Sequence, residues 1–246
     1  MKLLAFELAT EACSVAVWVD GQVRERFELA PRRHAELALP WAGELLAEAG
    51  IAKSQLDAIA VGRGPGAFTG VRLAIAVAQG IALALDRPIV PVSTLAALAM
   101  RAATLPGPRD EAQPGVAGTR VLAAIDARMH EVYVGRFSLV EGHAIALSDE
   151  TIVAPDGVAL PEDGHGWRGV GTGFDAVGGM LRQRLVDRLV VVDTAALPHA
   201  ADVARLAAAA YERGEALAAD RVEPAYLRNN VALTLADQQL LRDSRS

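Results

Sequence analysis

Cysteine is nearly absent from this chain: among 246 residues, Cys13 is the only one. A single thiol excludes an internal disulfide and a zinc site built on several thiolates. Cys13 lies in a strand pattern, so we expect it to be a small core residue. The five histidines are scattered, without a pair at helical ligand spacing. The sequence therefore predicts no metal site.

Basic clusters are absent too. The chain has 24 Lys and Arg residues against 30 Asp and Glu, a formal net charge of −6, and no basic cluster beyond Arg32 and Arg33. A protein that holds nucleic acid by itself usually presents a basic face. If RNA is involved, we expect another subunit to hold most of it, so that this chain meets tRNA only indirectly.

No apolar run has the length of a membrane span, which needs about 20 residues. The most apolar stretch, 71–85, is shorter, contains Arg72 and is followed by Asp86. The first residues follow a strand pattern rather than that of a basic and apolar leader. With 52% hydrophobic residues, the composition predicts a globular, cytoplasmic protein with a sizeable core and no membrane contact.

The first 104 residues predict three antiparallel strands followed by alternating helices and strands. Asp20–Gly21 is a strong hairpin signal. Pro40 implies either a kink or a later start for the helix that contains it, and Ser93 is a helix N-cap. The predicted strands are 2–8, 13–19, 23–29, 58–61 and 88–92, and the predicted helices are 35–49, 71–85 and 93–103.

A boundary follows, because residues 105–119 lose apolar periodicity and are rich in proline, glycine and charge, as in a linker. Residues 120–246 then repeat the beginning: a strand ends at Asp126 as an earlier one ends near Glu7, and a hairpin follows each. The predicted strands are 121–125, 132–139, 143–153 and 189–192, and the helices are 175–185 and 202–213. We predict an α/β fold of two related halves, 1–104 and 120–246, each with a mixed sheet (antiparallel meander plus parallel strands) and flanking helices.

The chain is organised around residues 62–85, a glycine-rich turn that leads into a helix. Thr69 is the predicted N-cap, and Arg72 and Gln79 are the only polar side chains from 71 to 85. One row of small residues can pack against the chain's own sheet, which leaves the second row free to contact something else. The alternative is a central helix that the same domain covers on all sides. The two rows are Gly70, Ala74, Ala78 and Ala82, and Ala76, Gly80 and Ala84.

A duplicated fold with acidic residues at its first hairpins suggests the actin, hexokinase and sugar-kinase group, in which nucleotide lies between actin-like, ribonuclease H-like halves. Nucleotide-binding members present Asp followed by Gly and Thr, whereas this chain has Glu7, Thr10 and Glu11 without the glycine. Glu11 adds negative charge where a phosphate would lie. Gly171 and Gly173 could pass a phosphate backbone. Glu7, Thr10, Gly171 and Gly173 are therefore candidates for weak ATP or ADP binding at best, and we expect no required cofactor.

Several motifs together resemble the bacterial TsaB (YeaZ) family over most of the chain. They are residues 7–17 (ELATEACSVAV), His34, residues 62–85 (GRGPGAFTGVRLAIAVAQGIALAL), 92–99 (VSTLAALA), 125–133 (IDARMHEVY) and 224–228 (PAYLR). The resemblance implies a non-catalytic subunit in the synthesis of threonylcarbamoyladenosine (t6A) in tRNA. The catalytic paralogue, TsaD, shares the fold and has a two-histidine metal site. Here His34 is followed by Ala, Glu, Leu and Ala, which argues against a peptidase activity built on such a site.

The resemblance also implies partners. The helix at 70–85 packs on the matching helix of a TsaD-like paralogue, or on a second copy in a homodimer, and a small ATPase, TsaE, joins the complex. The sequence does not determine which face of the helix points outward. The alternative is an enzyme of the same fold that binds or hydrolyses ATP. The expected interface residues, none of them catalytic, are Phe68, Arg72, Ala76, Gln79, Gly80 and Leu83.

Overall fold

The computed structural model describes residues 1–106, 118–161 and 165–228, which form two mixed β-sheets with helices on their faces. The first sheet contains β1 (Lys2–Glu7), β2 (Ala12–Val19), β3 (Gln22–Leu29), β4 (Ala58–Gly62) and β5 (Ile89–Val92). The second contains β6 (Thr119–Arg128), β7 (Glu131–Val140), β8 (His143–Ala146), β9 (Thr151–Val153), β10 (Trp167–Val170) and β11 (Leu189–Asp193). The helices are α1 (His34–Glu48), α2 (Phe68–Leu85), α3 (Thr94–Ala99), α4 (Ala176–Arg184) and α5 (Ala200–Glu212).

The two sheets have the same topology. The first runs in the order β3-β2-β1-β4-β5 and the second in the order β8-β7-β6-β10-β11, with β9 paired to β7 outside this path. In each, two antiparallel pairings form a meander and two parallel pairings extend it. The prediction of a duplicated α/β fold with two related mixed sheets is confirmed.

The second hairpins of the two halves, β2–β3 and β7–β8, also match in their turns. Asp20 and Gly21 connect β2 to β3 with φ values of 46° and 94°, and Glu141 and Gly142 connect β7 to β8 with 49° and 77°. Positive φ at both central residues is the conformation that suits the right-handed twist of a hairpin. An acidic residue followed by glycine therefore specifies both turns.

Each sheet is covered in part by a helix from the other half. α1 and α2 pack on one face of the first sheet, and the alanine-rich α5, from the end of the chain, packs on the other. α3 leaves the first half and packs its leucines, Leu95 and Leu98, against β6 and β7. The predicted boundaries at 104 and 120 stay a prediction, because residues 107–117 of the predicted linker lie outside the described residues.

A partly buried carboxylate fixes the start of α5 on the first sheet. Glu25 accepts hydrogen bonds from Ser14 Oγ at 2.7 Å and from the backbone N–H of Ala201 at 2.9 Å, and its other oxygen lies 2.9 Å from His199 Nδ1. Ser14 Oγ in turn accepts the N–H of Ala200 at 2.8 Å. Burial raises the pKa of the Glu25 carboxyl, but these hydrogen bonds outweigh it and hold that pKa below its usual value. A negative charge at a helix N-terminus is also favourable.

Three predicted helix boundaries differ from the structure. α1 starts at His34, so Pro40 lies inside it and a later start is excluded. α2 starts at Phe68 with Ala67 as its N-cap, so Thr69 as the cap is wrong. The reason is that the Ala67 N–H is already bonded to the Ala9 carbonyl at 2.7 Å, which ends the turn two residues earlier than predicted. Ser93 does cap α3, since its Oγ accepts the Ala96 N–H at 3.0 Å, but α3 ends at Ala99 and a 3₁₀ turn follows.

Two strand predictions in the second half also need correction. The single strand expected at 143–153 is two strands, β8 and β9, because the polar residues 148–150 form the loop between them. β10 was not predicted, since Arg168 interrupts its apolar pattern. In the structure Arg168 is 6% exposed and donates from Nη1 to the carbonyls of Ala102 and Leu105, each at 3.0 Å. Arg168 therefore holds the turn after α3 against β10. Because arginine is usually exposed, the sequence predicts a loop at this position instead of a strand.

Candidate partner interface and the cleft beside it

α2 carries two rows of small residues, and the fold buries one of them. Gly70, Ala74, Ala78 and Ala82 lie against the first sheet, whereas Ala76, Gly80 and Ala84 are exposed. A Cβ on Gly70 would collide with the carbonyl oxygen of Leu8, but a Cβ on Gly80 would meet no atom within 4 Å. The alternative of a helix covered on all sides is therefore wrong for the single chain.

The outward face of α2 is an apolar stripe with one charge. Five of the six expected interface residues lie on it, at a spacing of three or four along the helix. Phe68 is 54% exposed and Leu83 is 69% exposed, which is unusual for large apolar side chains on one helix face. We call this face, with Phe68, Arg72, Ala76, Gly80 and Leu83, the α2 stripe.

Gln79, the sixth expected residue, lies beside the stripe and is partly buried. Its Nε2 donates to the carbonyl oxygens of Ala219 at 2.8 Å and Val222 at 3.3 Å. The side-chain amide therefore holds the segment after α5 against α2. A role for Gln79 in binding a partner stays a prediction.

α2 is the one helix of the described residues that is long and apolar enough to cross a membrane by length and composition alone. A core helix of a globular protein passes the same test. In this fold α2 packs against β4, and the residues of its buried row belong to the core of the first sheet.

Arg72 is fixed on the stripe by two aromatic side chains. Its guanidinium carbon lies 3.6 Å from the centre of the Phe68 ring and 5.5 Å from that of Tyr226. Its Nε donates to the Tyr226 hydroxyl at 2.7 Å. Tyr226 is 52% exposed. The sequence did not identify Tyr226 as part of this surface, although it stands within the PAYLR motif.

Tyr226 belongs to a segment, residues 224–228, that we call the C-terminal strap because it connects α2 to the second half. The Ala225 N–H donates to the Arg63 carbonyl at 2.8 Å. Arg228 forms an ion pair with Glu131 at 2.6 Å and donates to the Ala127 carbonyl at 3.2 Å, both next to the β6–β7 turn. The strap therefore ties the α2 stripe to the first hairpin of the second half.

A cleft of about 970 Å³ lies between the two halves, beside the start of α2. Thr10 and Glu11 line it from the first half, Asp126 and Thr172 line it from the second, and the strap forms part of its wall. The weak nucleotide binding expected from the sequence would take place in this cleft. Glu11 puts a carboxylate into that wall, as the sequence indicated.

Glu7 is not among the residues that line the cleft, although it was a candidate for nucleotide binding. It is 1% exposed; its Oε1 accepts the Ala9 N–H at 2.8 Å and its Oε2 accepts the Thr94 hydroxyl at 2.9 Å. Burial raises the pKa of the Glu7 carboxyl to about 7, against the lowering effect of these hydrogen bonds. A Cβ on Gly62 would collide with this carboxyl, so glycine is needed there.

Gly171 and Gly173, two further candidates, also lie outside the lining of the cleft. Gly171 has a φ of 110°, and a Cβ on it would collide with the Ala124 carbonyl oxygen. Gly173 packs closely on Ala124 as well. Their small size serves the approach of this turn to β6. Of the four candidates, Thr10 alone lines the cleft, and weak nucleotide binding stays a prediction.

His34 stands at the start of α1, in the wall of the cleft. Its Nε2 lies 3.0 Å from the Thr10 carbonyl oxygen and 3.1 Å from that of Ala12, so this nitrogen is a donor. The bonds hold His34 against the turn between β1 and β2. Among residues 1–106, 118–161 and 165–228, no three His, Cys, Asp or Glu side chains are placed to hold a metal ion.

Curated relatives match nearly the whole chain. The tRNA threonylcarbamoyladenosine biosynthesis protein TsaB of Escherichia coli is 41% identical over 241 residues, covering 94% of this chain and 96% of the relative. The chain belongs to the TsaB family. TsaB of Haemophilus influenzae is 36% identical, with 94% of this chain and 95% of the relative covered.

Two further comparisons agree with membership of the TsaB family. A crystal structure from Pseudomonas aeruginosa, described as an uncharacterized protein with similarity to the peptidase YeaZ, is 46% identical with a TM-score of 0.82 and covers 92% of this chain and 99% of its own. Residues 27–235 match the profile of TsaD, tRNA N6-adenosine threonylcarbamoyltransferase. The TsaB resemblance found in the sequence is therefore confirmed, and the chain shares its fold with the transferase family.

Proposed function

We propose that this chain is a non-catalytic subunit of a tRNA threonylcarbamoyl-transfer complex, which binds a TsaD-like paralogue through the α2 stripe. The observation that carries the proposal is the exposed row of small residues between Phe68 and Leu83. The names of the curated relatives place the family in t6A biosynthesis.

The shape of the stripe favours a helix as the partner element. Small side chains at Ala76 and Gly80 let a second helix approach closely. The large apolar groups Phe68 and Leu83 lie on either side of them, where they can pack around the crossing point. Because the paralogue family shares the profile matched by residues 27–235, we expect its members to have a helix at the corresponding position.

The non-catalytic role is supported by how this chain uses its polar groups. Glu7 is bonded to Ala9 and Thr94, and His34 Nε2 is bonded to backbone carbonyls. Each therefore has a structural task beside the cleft. Glu11 adds a negative charge to its wall.

The proposal includes the other partners that the family resemblance implies. A TsaE-like ATPase joins the complex in the cytoplasm, and the chain forms a homodimer through the same stripe when the paralogue is absent. Because the formal net charge is −6, other subunits hold the tRNA.

A second candidate function, ATP binding in the isolated chain, is favoured by the cleft of about 970 Å³. We expect binding to be weak, because Glu11 repels phosphate. Calorimetric titration with Mg²⁺ and ATP measures it directly: a dissociation constant in the micromolar range or below would favour the enzyme alternative over the subunit.

The proposed function is tested by t6A formation on tRNA in a reconstituted system with and without this chain. We expect the paralogue to need the chain for full activity, and Gly80→Arg to give no more activity than omission of the chain. Gly80→Ala is the matched control, since a methyl group is tolerated at a close helix contact far better than an arginine. Full activity with Gly80→Arg, or without the chain, would contradict the proposal.

A further inference from the structure

The structure indicates what the partner must bring to the α2 stripe. We infer that Arg72 is the polar centre of this interface and takes a carboxylate from the TsaD-like partner, and that Tyr226 of the C-terminal strap belongs to the same contact surface. This inference rests on the proposed function, because it names the chemistry of the partner at the same site.

The first argument is the position of the charge. Arg72 is the only charged residue from 68 to 85 and lies between Phe68 and Ala76 on the stripe. A helix packed along the stripe covers it. Nε already donates to Tyr226, and within the described part of the chain no acidic side chain forms an ion pair with Arg72. The N–H groups of its two terminal nitrogens therefore need acceptors from the partner.

The second argument is that the guanidinium is already oriented. Phe68 supports one of its faces at 3.6 Å, and the Tyr226 hydroxyl fixes its Nε. A side chain that is held before binding loses less entropy on binding. The planar edge that remains, with parallel N–H groups, matches a carboxylate in a two-point hydrogen bond better than it matches a single carbonyl oxygen.

The third argument concerns the sign of the charge that the partner must bring to Arg72. Burying a cation on an apolar helix face costs much free energy unless an anion pairs with it. Arginine and tyrosine held at the centre of a contact are also the residue types that most often dominate binding energy. We therefore expect Asp or Glu on the partner element that crosses the stripe.

A second copy of this chain fits the site less well than the paralogue. In a two-fold contact both copies would bring Arg72, and neither has a carboxylate from 68 to 85. The nearest carboxylate on the same element is Asp86, the exposed C-cap of α2. An ion pair at that open end is screened by water and contributes little.

The test is the affinity for the paralogue of Arg72→Gln, Arg72→Lys and Tyr226→Phe, measured at low and high salt. We expect Arg72→Gln to weaken binding by about 30-fold or more and to remove most of its salt dependence. Arg72→Lys should recover only part of the loss, and Tyr226→Phe should cost about fivefold. Arg24→Gln is the charge-matched control, because Arg24 is an exposed residue of β3 away from α2.

Charge reversal identifies the acceptor. Arg72→Glu should lose binding, and changing one Asp or Glu on the paralogue's matching helix to Arg should restore it. Unchanged affinity of Arg72→Gln, while the wild-type complex forms, would overturn the carboxylate inference and leave the proposed function intact. A loss confined to the homodimer, shared by Asp86→Asn, would overturn the paralogue as the occupant. Failure of the wild-type chain to bind the paralogue would contradict both.

Discussion

The two halves share a strand order and a hairpin turn, but they differ in the helix that follows the first parallel strand, β4 or β10. In the first half this is α2, a regular helix of 18 residues with an exposed apolar stripe. In the second half it is α4, nine residues long, with Val177, Gly178 and Gly179 at positive φ. The two halves therefore share their sheets, whereas the first half has the longer helix and exposes an apolar stripe on it.

The acidic residues at the ends of β1 and β6 differ in the same way. Both accept the backbone N–H two residues ahead: Glu7 from Ala9 and Asp126 from Arg128, each at 2.8 Å. Glu7 is buried, whereas the Asp126 side chain is 28% exposed and pairs with the Arg128 guanidinium at 2.9 Å. One position has become part of the core, and the other still faces the cleft.

The largest expected effect is on stability and tests how closely α2 and α4 are packed. We expect Gly70→Ala to lower the free energy of unfolding by about 3 kcal/mol, because the new methyl group meets the Leu8 carbonyl and the helix must shift. Gly178→Ala in α4 meets no atom within 4 Å, so it should cost about 1 kcal/mol, from its positive φ alone. Urea unfolding of both variants measures the difference, and equal losses would contradict the packing described for α2.

The next largest effect is on the pH dependence of stability, which distinguishes the Glu7 carboxyl from that of Asp126. Burial raises the pKa of the Glu7 carboxyl from its usual value of 4.5 to about 7 on folding, so the folded state binds more protons than the unfolded state between these pH values. The stability is then lost as pH rises through this window, by about 2 kcal/mol between pH 5 and 8. Glu7→Gln should remove this part of the pH dependence, and Asp126→Asn should leave it in place. A wild-type profile that is unchanged by Glu7→Gln would show that Glu7 is ionised in the fold.

The smallest expected effect tests whether Gln79 lies outside the α2 stripe. We expect Gln79→Ala to lower the free energy of unfolding by about 1 kcal/mol, since its amide donates to Ala219 and Val222. Affinity for the paralogue should change by no more than about threefold, because that amide is held within the chain. A large loss of affinity at unchanged stability would instead make Gln79 an interface residue, as the family resemblance implies.

Most of the fold was predicted from regular patterns in the sequence. The Asp20–Gly21 turn, the apolar strands and the two rows of small residues on α2 depend on local periodicity, which the sequence displays directly. β10 was missed because its buried Arg168 is satisfied by carbonyls more than 60 positions away in the chain. Side-chain partners at that separation leave no periodic signal.

The site was predictable only in part, for the same reason. Helical spacing identified two rows of small residues on α2, but which row faces outward depends on how α2 meets the sheet. Gln79 is held inward because the segment after α5 passes there, and Tyr226 contacts the stripe because the C-terminal strap returns to α2. Burial of Glu7 likewise depends on Thr94 and Gly62, from distant parts of the chain. None of these contacts can be derived from the local sequence.

The central claim is that the α2 stripe binds a TsaD-like partner, and the most direct measurement is molar mass by light scattering. The wild-type chain, Gly80→Ala and Gly80→Arg are each measured alone and mixed with the paralogue, with and without ATP. We predict a one-to-one complex for the first two and separate species for Gly80→Arg, with unfolding curves that show all three folded. A complex that forms equally well with Gly80→Arg, or no complex with the wild-type chain under any condition, would contradict the account.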